Sequence, residues 1–420
     1  MFDSKFLLGV ATAAHQVEGN NIHSDCWAQE QMKNSPFKEP SLDACDHYNR
    51  FKEDIALMKE AGYNAYRFSI EWARIEPVKG QYDEKEIAHY RDVILCCKEN
   101  GIEPIVTMHH FSSPKWLITL GGWEAESTIE YFKNYCLYVI EKIGDLVTYV
   151  CTINEANMGV QIAAIVKQFM KQAGLQVGLS MPAPEAQKEM MLETMQVFEV
   201  ADPTKIHTFL SMRTPEGDKI IAKAHEAARD AMKVVCPHLK IGLTLSLHDI
   251  QVADSSHEAA ALAQEEWETE FEHYLPAIKN DDFIGVQNYT REIFRADGVQ
   301  KAPEGAELTQ MDYEFYPKAL GNVIRKVAEK FKGDIIVTEN GVATTDDTRR
   351  VAFIDKALVG VKACMDEGIP VKGYLYWSLM DNFEWQKGFS MHFGLIEVDR
   401  ATQNRYPRPS LYALGNYLCK

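Results

Sequence analysis

Two glutamates stand where strand-like segments of the sequence end, and a pair of carboxyl groups can perform acid/base and nucleophilic chemistry. Glu155 ends one such segment and Glu339 lies near the end of another. If both point into one cleft, one can protonate a leaving oxygen while the other attacks carbon or activates water, as glycoside hydrolysis requires. A glutamate at a strand end is also often only a helix cap or a solvated loop residue, so position alone does not decide its role.

Polar and aromatic residues gather at the ends of the other strand-like segments. A sugar offers hydroxyls to polar side chains and C–H faces to aromatic rings, so a sugar site needs both kinds of residue. The residues of these kinds are Gln16, His110, Asn154, Trp377, Glu384 and Trp385. Arg67 could keep one of the two glutamates ionised, while burial and mutual repulsion keep the other protonated.

Eight short apolar runs alternate with longer helical patterns, which is typical of βα units that feed a parallel sheet. The runs are residues 6–11, 64–70, 103–110, 147–156, 239–247, 283–289, 334–340 and 371–381. Eight strands with intervening helices predict an α/β fold, the (β/α)8 TIM barrel. The active site of such a barrel lies at the C-terminal ends of its strands, which is where these polar residues are expected to meet.

Residues 159–215 interrupt the alternation of strand and helix. This stretch is rich in Met, Gln and Ala, looks helical, and contains several prolines but no clean strand. No glycine/serine linker, charge block or repeat marks a domain boundary elsewhere. We therefore expect residues 1–420 to form one catalytic barrel domain with an atypical insertion around residues 159–215.

Charge argues against two classes of partner. The chain carries 44 basic and 61 acidic residues, a formal net charge of −17, which opposes a phosphate backbone or an anionic lipid surface. The apolar stretches are also shorter than a membrane crossing requires. We expect a small-molecule partner, and neither nucleic acid nor a membrane.

Cysteine usage and the first residues bear on compartment and metal content. The nine cysteines are scattered without a CxxC spacing, which indicates reduced structural thiols rather than a zinc site. The beginning of the sequence lacks the basic flank and long apolar region of a signal peptide, so we expect a cytoplasmic location. His109 and His110 are adjacent and should point to opposite faces of a strand, which argues against a shared metal. We expect no metal and no cofactor.

Three segments carry a resemblance to a known family. Residues 6–19 read FLLGVATAAHQVEG, residues 66–77 read YRFSIEWARIEP, and residues 121–123 read GGW. These segments resemble glycoside hydrolase family 1, the β-glucosidase family, and the likeness runs from residue 6 to the C-terminal segment. TINEA at 152–156 is similar to the family's acid/base motif, and VTENG at 337–341 is similar to its nucleophile motif.

The resemblance implies a role for each candidate residue. Glu155 would be the acid/base and Glu339 the nucleophile, flanked by Arg67 and Tyr289. Gln16, His110 and Asn154 would hold sugar hydroxyls, with Trp377 as the platform under the ring. Residues 374–385 and 388–399 resemble the family's last strand and sugar-binding loop, which adds Glu384, Trp385 and Phe393 to the substrate site. A carboxylate at position 384 suits the 4- and 6-hydroxyls of an unmodified sugar and would repel a 6-phosphate.

Some positions depart from the family pattern. Ala156 stands where proline is usual, Phe111 where tryptophan is frequent, and Gln287-Asn288 replaces a commoner pair before Tyr289. Residues 159–215 lack the glycine- and proline-containing sequence expected there, so the leaving-group side is the least predictable part of the site.

The function expected from the resemblance is a retaining β-glycosidase acting on terminal β-D-glucosyl, and also galactosyl or fucosyl, residues of small glycosides. Two alternatives stay open: a transglycosylase that uses the same site, and a catalytically weak sugar-binding barrel. The sequence does not reveal the oligomeric state.

Overall fold

The computed structural model describes residues 1–172, 185–253, 256–300 and 302–419. Eight parallel strands close into a barrel, in which β1 pairs with both β2 and β8 and the other neighbours follow in chain order. The strands are β1 (Leu7–Ala11), β2 (Ala65–Ser69), β3 (Glu103–His109), β4 (Tyr149–Ile153), β5 (Lys240–Ser246), β6 (Phe283–Gln287), β7 (Asp334–Asn340) and β8 (Val371–Trp377). The predicted (β/α)8 barrel is confirmed, and each predicted run contains one of these strands.

Each strand is followed by a helix of the layer around the barrel. These helices are α1 (His47–Ala61), α2 (Glu84–Glu99), α3 (Ser127–Ile143), α4 (Pro215–Val235), α5 (His257–Glu270), α6 (Ala319–Lys330), α7 (Asp347–Asp366) and α8 (Pro409–Gly415). Local sequence sets their ends: α1 stops at Gly62, whose φ of 90° suits glycine, and α4 starts after Thr214, whose side chain accepts a hydrogen bond from the backbone N–H of Gly217.

Further elements surround the barrel. The additional helices are Ala14–Val17, Asp25–Glu30, Trp72–Ile75, Lys115–Thr119, Met158–Gln172, Glu185–Phe198 and Leu275–Ile278, and the 3-10 segments are Gly122–Glu124, Pro203–Lys205, Glu272–Tyr274 and Trp385–Ser390. Strands Asp249–Val252, Arg291–Arg295 and Gly298–Gln300 form one small sheet, and Ile396–Val398 pairs with Arg405–Pro407 in another.

The barrel strands read as continuous apolar runs because both of their faces are buried. Alternate residues point to opposite sides, so Leu7 belongs to the cluster inside the barrel while Leu8 packs in the outer cluster with the helices. Phe283 fills the interior beside Gly242, where a Cβ would come within 2.9 Å of the phenyl ring. The barrel is therefore a packed core that can hold side chains rigidly at its C-terminal end.

The stretch expected to be an insertion takes up nearly all of two additional helices, Met158–Gln172 and Glu185–Phe198, and its residues 173–184 lie outside the described residues. The end of this stretch, where the chain leads back to the barrel, is well packed. Phe209 is fully buried against His109, and the guanidinium of Arg213 lies over the Phe209 ring and donates to the carbonyl of Ala156. The division into one domain with an insertion at 159–215 stays a prediction.

All nine cysteines carry free thiols, and most are buried, as expected for structural thiols. Across the part of the chain that the structure describes, no helix is both long enough and apolar enough to cross a membrane.

Candidate active site

A cavity of about 450 Å³ opens at the C-terminal ends of the barrel strands. All of the site residues predicted from the sequence line it, except Arg67, which is completely buried beside it. The predicted residues that line the cavity are Gln16, His110, Asn154, Glu155, Tyr289, Glu339, Trp377, Glu384, Trp385 and Phe393. The structure therefore brings together residues from distant parts of the chain at the place where barrel enzymes have their active sites.

Glu339 reaches the cavity through an irregularity in its strand. The pairing of β7 with β6 is regular up to Val337 and then shifts by one residue, so that Glu339 comes to lie opposite Gln287. A shift of this kind changes the direction in which the following side chain points. As a result, the Glu339 carboxylate points into the cavity, whereas the preceding residues of β7 form part of the barrel wall.

Three donors hold the Glu339 carboxylate. Arg67 Nη1 donates to Oε1 over 2.6 Å, the Tyr289 hydroxyl donates to Oε2 over 2.6 Å, and Gln287 Nε2 donates to Oε1 over 3.0 Å. Hydrogen bonds to an ionised group are shorter and stronger than those between neutral groups. Burial raises the pKa of Glu339, and these three donors oppose that shift by stabilising the charged form.

Arg67 connects the two glutamate strands. Its Nη2 donates to Asn154 Oδ1 over 2.6 Å, and its Nε donates to Thr107 Oγ1 over 3.0 Å. Gln287 Nε2 also donates to Asn154 Oδ1, over 2.8 Å. The residue before Glu155 is thus fixed by the same groups that hold Glu339.

Glu155 is placed differently. Its φ of 42° lies in the left-handed region, which costs a non-glycine residue on the order of 1 kcal/mol, and its backbone N–H donates to Thr244 Oγ1 over 3.1 Å. Within the described residues no side chain donates a hydrogen bond to its carboxyl group. Burial, followed by the negative charge of Glu339, raises the pKa of Glu155 well above its ordinary value. Of the two carboxyl groups, Glu155 therefore holds a proton more readily than Glu339.

Among the described residues, several buried polar atoms beside the glutamates have no hydrogen-bond partner, including Gln16 Oε1, His110 Nδ1, Asn154 Nδ2 and Gln287 Oε1. Their residues are otherwise fixed, since Gln16 Nε2 donates to the Phe383 carbonyl over 2.8 Å and the His110 ring stacks on Trp377 at 5.5 Å. Burial lowers the pKa of His110 well below its ordinary value, so the ring is neutral. Unpaired buried polar atoms next to an aromatic ring are suited to bind a sugar.

Glu384 supplies a third carboxyl group to the cavity. It accepts from Gln16 Nε2 over 3.3 Å, and burial and the charge of Glu339 raise its pKa to about 8. No lysine or arginine is among the described residues that line the cavity. Each of the three carboxyl groups that line the cavity adds negative charge when it ionises, and no lysine or arginine side chain of the described lining residues offsets that charge.

The match to known families covers nearly the whole chain. Residues 1–417 match the model of Glycosyl hydrolase family 1. The chain belongs to this family. Family 1 membership and the barrel agree with the expectation of a glycoside hydrolase.

Characterised relatives of this family 1 enzyme differ in their named activities. Beta-glucosidase A of Thermotoga maritima is 29% identical, over 99% of this chain and 97% of its own length. A 6-phospho-beta-galactosidase of Clostridium acetobutylicum is 28% identical, over 98% of this chain and 95% of its own. Identity at this level does not distinguish plain from phosphorylated sugars.

Two solved structures illustrate the likeness in fold. The crystal structure of beta-glycosidase BGL167 is 42% identical and superposes with a TM-score of 0.90, covering 99% of this chain and 96% of that one. The beta-glucosidase from Thermotoga maritima in complex with glucoimidazole is 26% identical with a TM-score of 0.81, covering 98% and 97%.

The family 1 site also contains residues that the sequence analysis did not assign. Gln287 donates to Glu339, whereas the sequence shows Gln287 only as a departure from the family pattern. Gln287 is a polar residue at the end of β6, and a polar residue at a strand end is the same signal that identified Asn154. Other unassigned residues also line the cavity, among them Ser246, Gln386, Tyr313 and the apolar Met158, Ile162, Leu210 and Met311. The four apolar ones gave no signal, because their types are also those of an ordinary core.

One cluster outside the cavity has residue types that can bind metals. Ligand atoms of His248, Glu270 and Glu292 lie within 4.8 Å of one another, although no metal site was expected. Glu270 is already engaged, since it accepts from His248 Nδ1 and from Gln161 Nε2, each over 2.6 Å. Despite burial, the charges of Glu270 and Glu292 raise the pKa of His248 to about 10, which makes this an ion pair.

Proposed function

We propose that this family 1 enzyme is a retaining β-glycosidase in which Glu339 is the nucleophile and Glu155 the acid/base. The observation that carries the proposal is the contrast between two glutamates at one cavity. Glu339 is held by three donors that stabilise a carboxylate, whereas Glu155 has no such donor and a strongly raised pKa. One carboxyl group is thereby ionised and the other protonated, as the first step requires.

In the first step the Glu339 carboxylate attacks the anomeric carbon while the proton of Glu155 passes to the departing oxygen. The carbon–oxygen bond to the leaving group breaks and an ester to Glu339 forms. In the second step Glu155, now ionised, takes a proton from water, whose oxygen attacks the same carbon and releases Glu339. Two inversions return the β configuration, and the carboxyl groups of a retaining pair are expected about 5–5.5 Å apart.

The sugar that fits this cavity is unmodified glucose, galactose or fucose. A 6-phosphate needs cationic or multiple N–H partners, whereas the described lining residues offer three carboxyl groups and no lysine or arginine. The Glu339 carboxylate, joined by Glu384 once that group ionises above about pH 8, would repel a phosphate. Gln16, His110, Asn154 and Glu384 supply the polar partners, and Trp377 supplies the aromatic face.

The test is a product and substrate analysis. Proton NMR of a 4-nitrophenyl β-glucoside reaction should show β-glucose as the first product, and α-glucose as the first product would refute retention. Glu339→Gly should abolish hydrolysis, and wild-type rates in that variant would exclude the nucleophile assignment. A panel of β-glucoside, β-galactoside, β-fucoside and 6-phospho-β-glucoside should show turnover of the plain sugars; preference for the phosphorylated one would refute the sugar assignment.

Products formed with an added alcohol show whether transfer competes with hydrolysis. Calorimetric binding of a glucoside without turnover would instead indicate a sugar-binding barrel.

A further inference from the structure

The leaving-group side of the cavity is identified by Glu155, because an acid that protonates the departing oxygen must lie next to the group that departs. The helix Met158–Gln172 begins only three residues later, and the Met158 backbone N–H donates to the Glu155 carbonyl over 2.9 Å. Met158 and Ile162 line the cavity and lie one helical turn apart. The surface that this helix presents to a leaving group is therefore apolar.

The apolar surface continues outward along the same helix. Ile165 is seven residues beyond Met158, which places both on one face, and it is 65% exposed. Gln161 is three residues beyond Met158 and lies on the same side of the helix, but it is buried and its amide already donates to Glu270 and to the Ser246 carbonyl. We call Met158, Ile162 and Ile165 the leaving-group surface.

Further apolar groups line the same cavity. Phe111, Leu210 and Met311 also line the cavity, and the Phe111 ring stacks on Phe209 at 5.7 Å. A second sugar ring bound here would have to hydrogen-bond its hydroxyls, but these side chains offer methyl, thioether and phenyl groups. Large aliphatic side chains that run from a cavity to the exterior indicate a binding surface for an apolar group.

We propose that the preferred substrates are β-glycosides of medium-chain alcohols, whose alkyl chain lies along the leaving-group surface. This inference rests on the proposed function and specifies its leaving group. The surface is about 10 Å long at the helical rise per residue, a length comparable to an octyl chain. Each added methylene that becomes buried should raise kcat/KM roughly threefold to fourfold.

The test compares methyl, butyl, hexyl and octyl β-glucoside, each below its critical micelle concentration, with cellobiose. We expect kcat/KM to rise along the alkyl series and octyl β-glucoside to exceed cellobiose. Ile165→Asn, at an exposed position, should abolish the gain from hexyl to octyl. Val359→Asn is the matched control, because Val359 is also β-branched, is 67% exposed on α7 and is not among the described residues that line the cavity; it should leave the whole series unchanged.

Two outcomes would overturn the inference: a flat or falling series, or a series in Ile165→Asn that rises as steeply as in the wild type. If the enzyme hydrolyses 4-nitrophenyl β-glucoside with retention but shows either outcome, only the leaving-group assignment fails. If no β-glucoside is hydrolysed at all, the proposed function itself fails.

Discussion

Replacing Tyr289 by phenylalanine removes one hydroxyl from the cavity and tests the proposed ionisation of Glu339 directly. That hydroxyl donates to Glu339 Oε2 over 2.6 Å, while Arg67 and Gln287 both bind the other oxygen, Oε1. The variant therefore leaves Oε2 without its donor and keeps the arginine in place. The loss falls on the charged form of the carboxylate, because a protonated carboxyl group gains less from a donor.

A hydrogen bond to a charged group contributes about 1.5–3 kcal/mol. Because this free energy is lost from the charged form, the pKa of Glu339 should rise in Tyr289→Phe, and each 1.4 kcal/mol or so corresponds to a factor of about ten. The nucleophile must be ionised, and activity is lost as pH falls through its pKa. A higher pKa moves this loss to higher pH, so that kcat/KM on the acidic side falls about 10- to 100-fold.

The assay is the pH profile of kcat/KM with 4-nitrophenyl β-glucoside, since this ratio reports ionisations of the free enzyme. Tyr313→Phe is the matched control: Tyr313 lines the same cavity, but its hydroxyl makes no hydrogen bond to a described residue. Its acidic limb should coincide with that of the wild type. If Tyr289→Phe lowers the rate equally at every pH and leaves the acidic limb in place, the hydroxyl does not stabilise the carboxylate and the reasoning is refuted.

Three further predictions concern the acid, the barrel and the sugar. Glu155→Gln should lower the hydrolysis of alkyl β-glucosides about 10²- to 10⁴-fold, and azide should restore turnover of an aryl glucoside as a β-glycosyl azide; failure of rescue would contradict the acid/base role. Gly9→Ala should lower the free energy of unfolding in urea by about 3 kcal/mol, because the added Cβ would lie 1.7 Å from the Ala65 carbonyl oxygen. Gly360→Ala is the control and should leave the stability unchanged, because the atom nearest to its added Cβ is 3.4 Å away. Glucose should inhibit more strongly as pH rises through about 8, where Glu384 ionises, and Glu384→Gln should lack this step; an unchanged step would assign it to another group.

The barrel could be predicted because its strands obey a simple rule. Both faces of β6 are buried, so its sequence is a continuous apolar run that stands out between polar segments. The predicted run was 283–289 and the strand is Phe283–Gln287. The extra residues are those that leave the barrel to form the site, since Tyr289 turns toward Glu339.

The local geometry at the two glutamates could not be predicted from residue types. The residue types around Val337 do not indicate the register shift that turns Glu339 inward. Glutamate also has no preference for the left-handed φ found at Glu155. Surrounding structure imposes both. The leaving-group surface escaped notice for a different reason, since Met158 and Ile162 have the spacing of a helix that faces an ordinary core.

In the proposed mechanism, the position of the donors explains how two identical side chains would perform different steps. Both glutamates are buried and repel each other, so the pair releases its first proton more readily than its second. All three donors contact Glu339, which fixes the remaining proton on Glu155. Once Glu339 is esterified in the proposed mechanism, its negative charge disappears, and one of the causes that raises the pKa of Glu155 disappears with it. The pKa of Glu155 then falls during the reaction, which converts the acid of the first step into the base of the second.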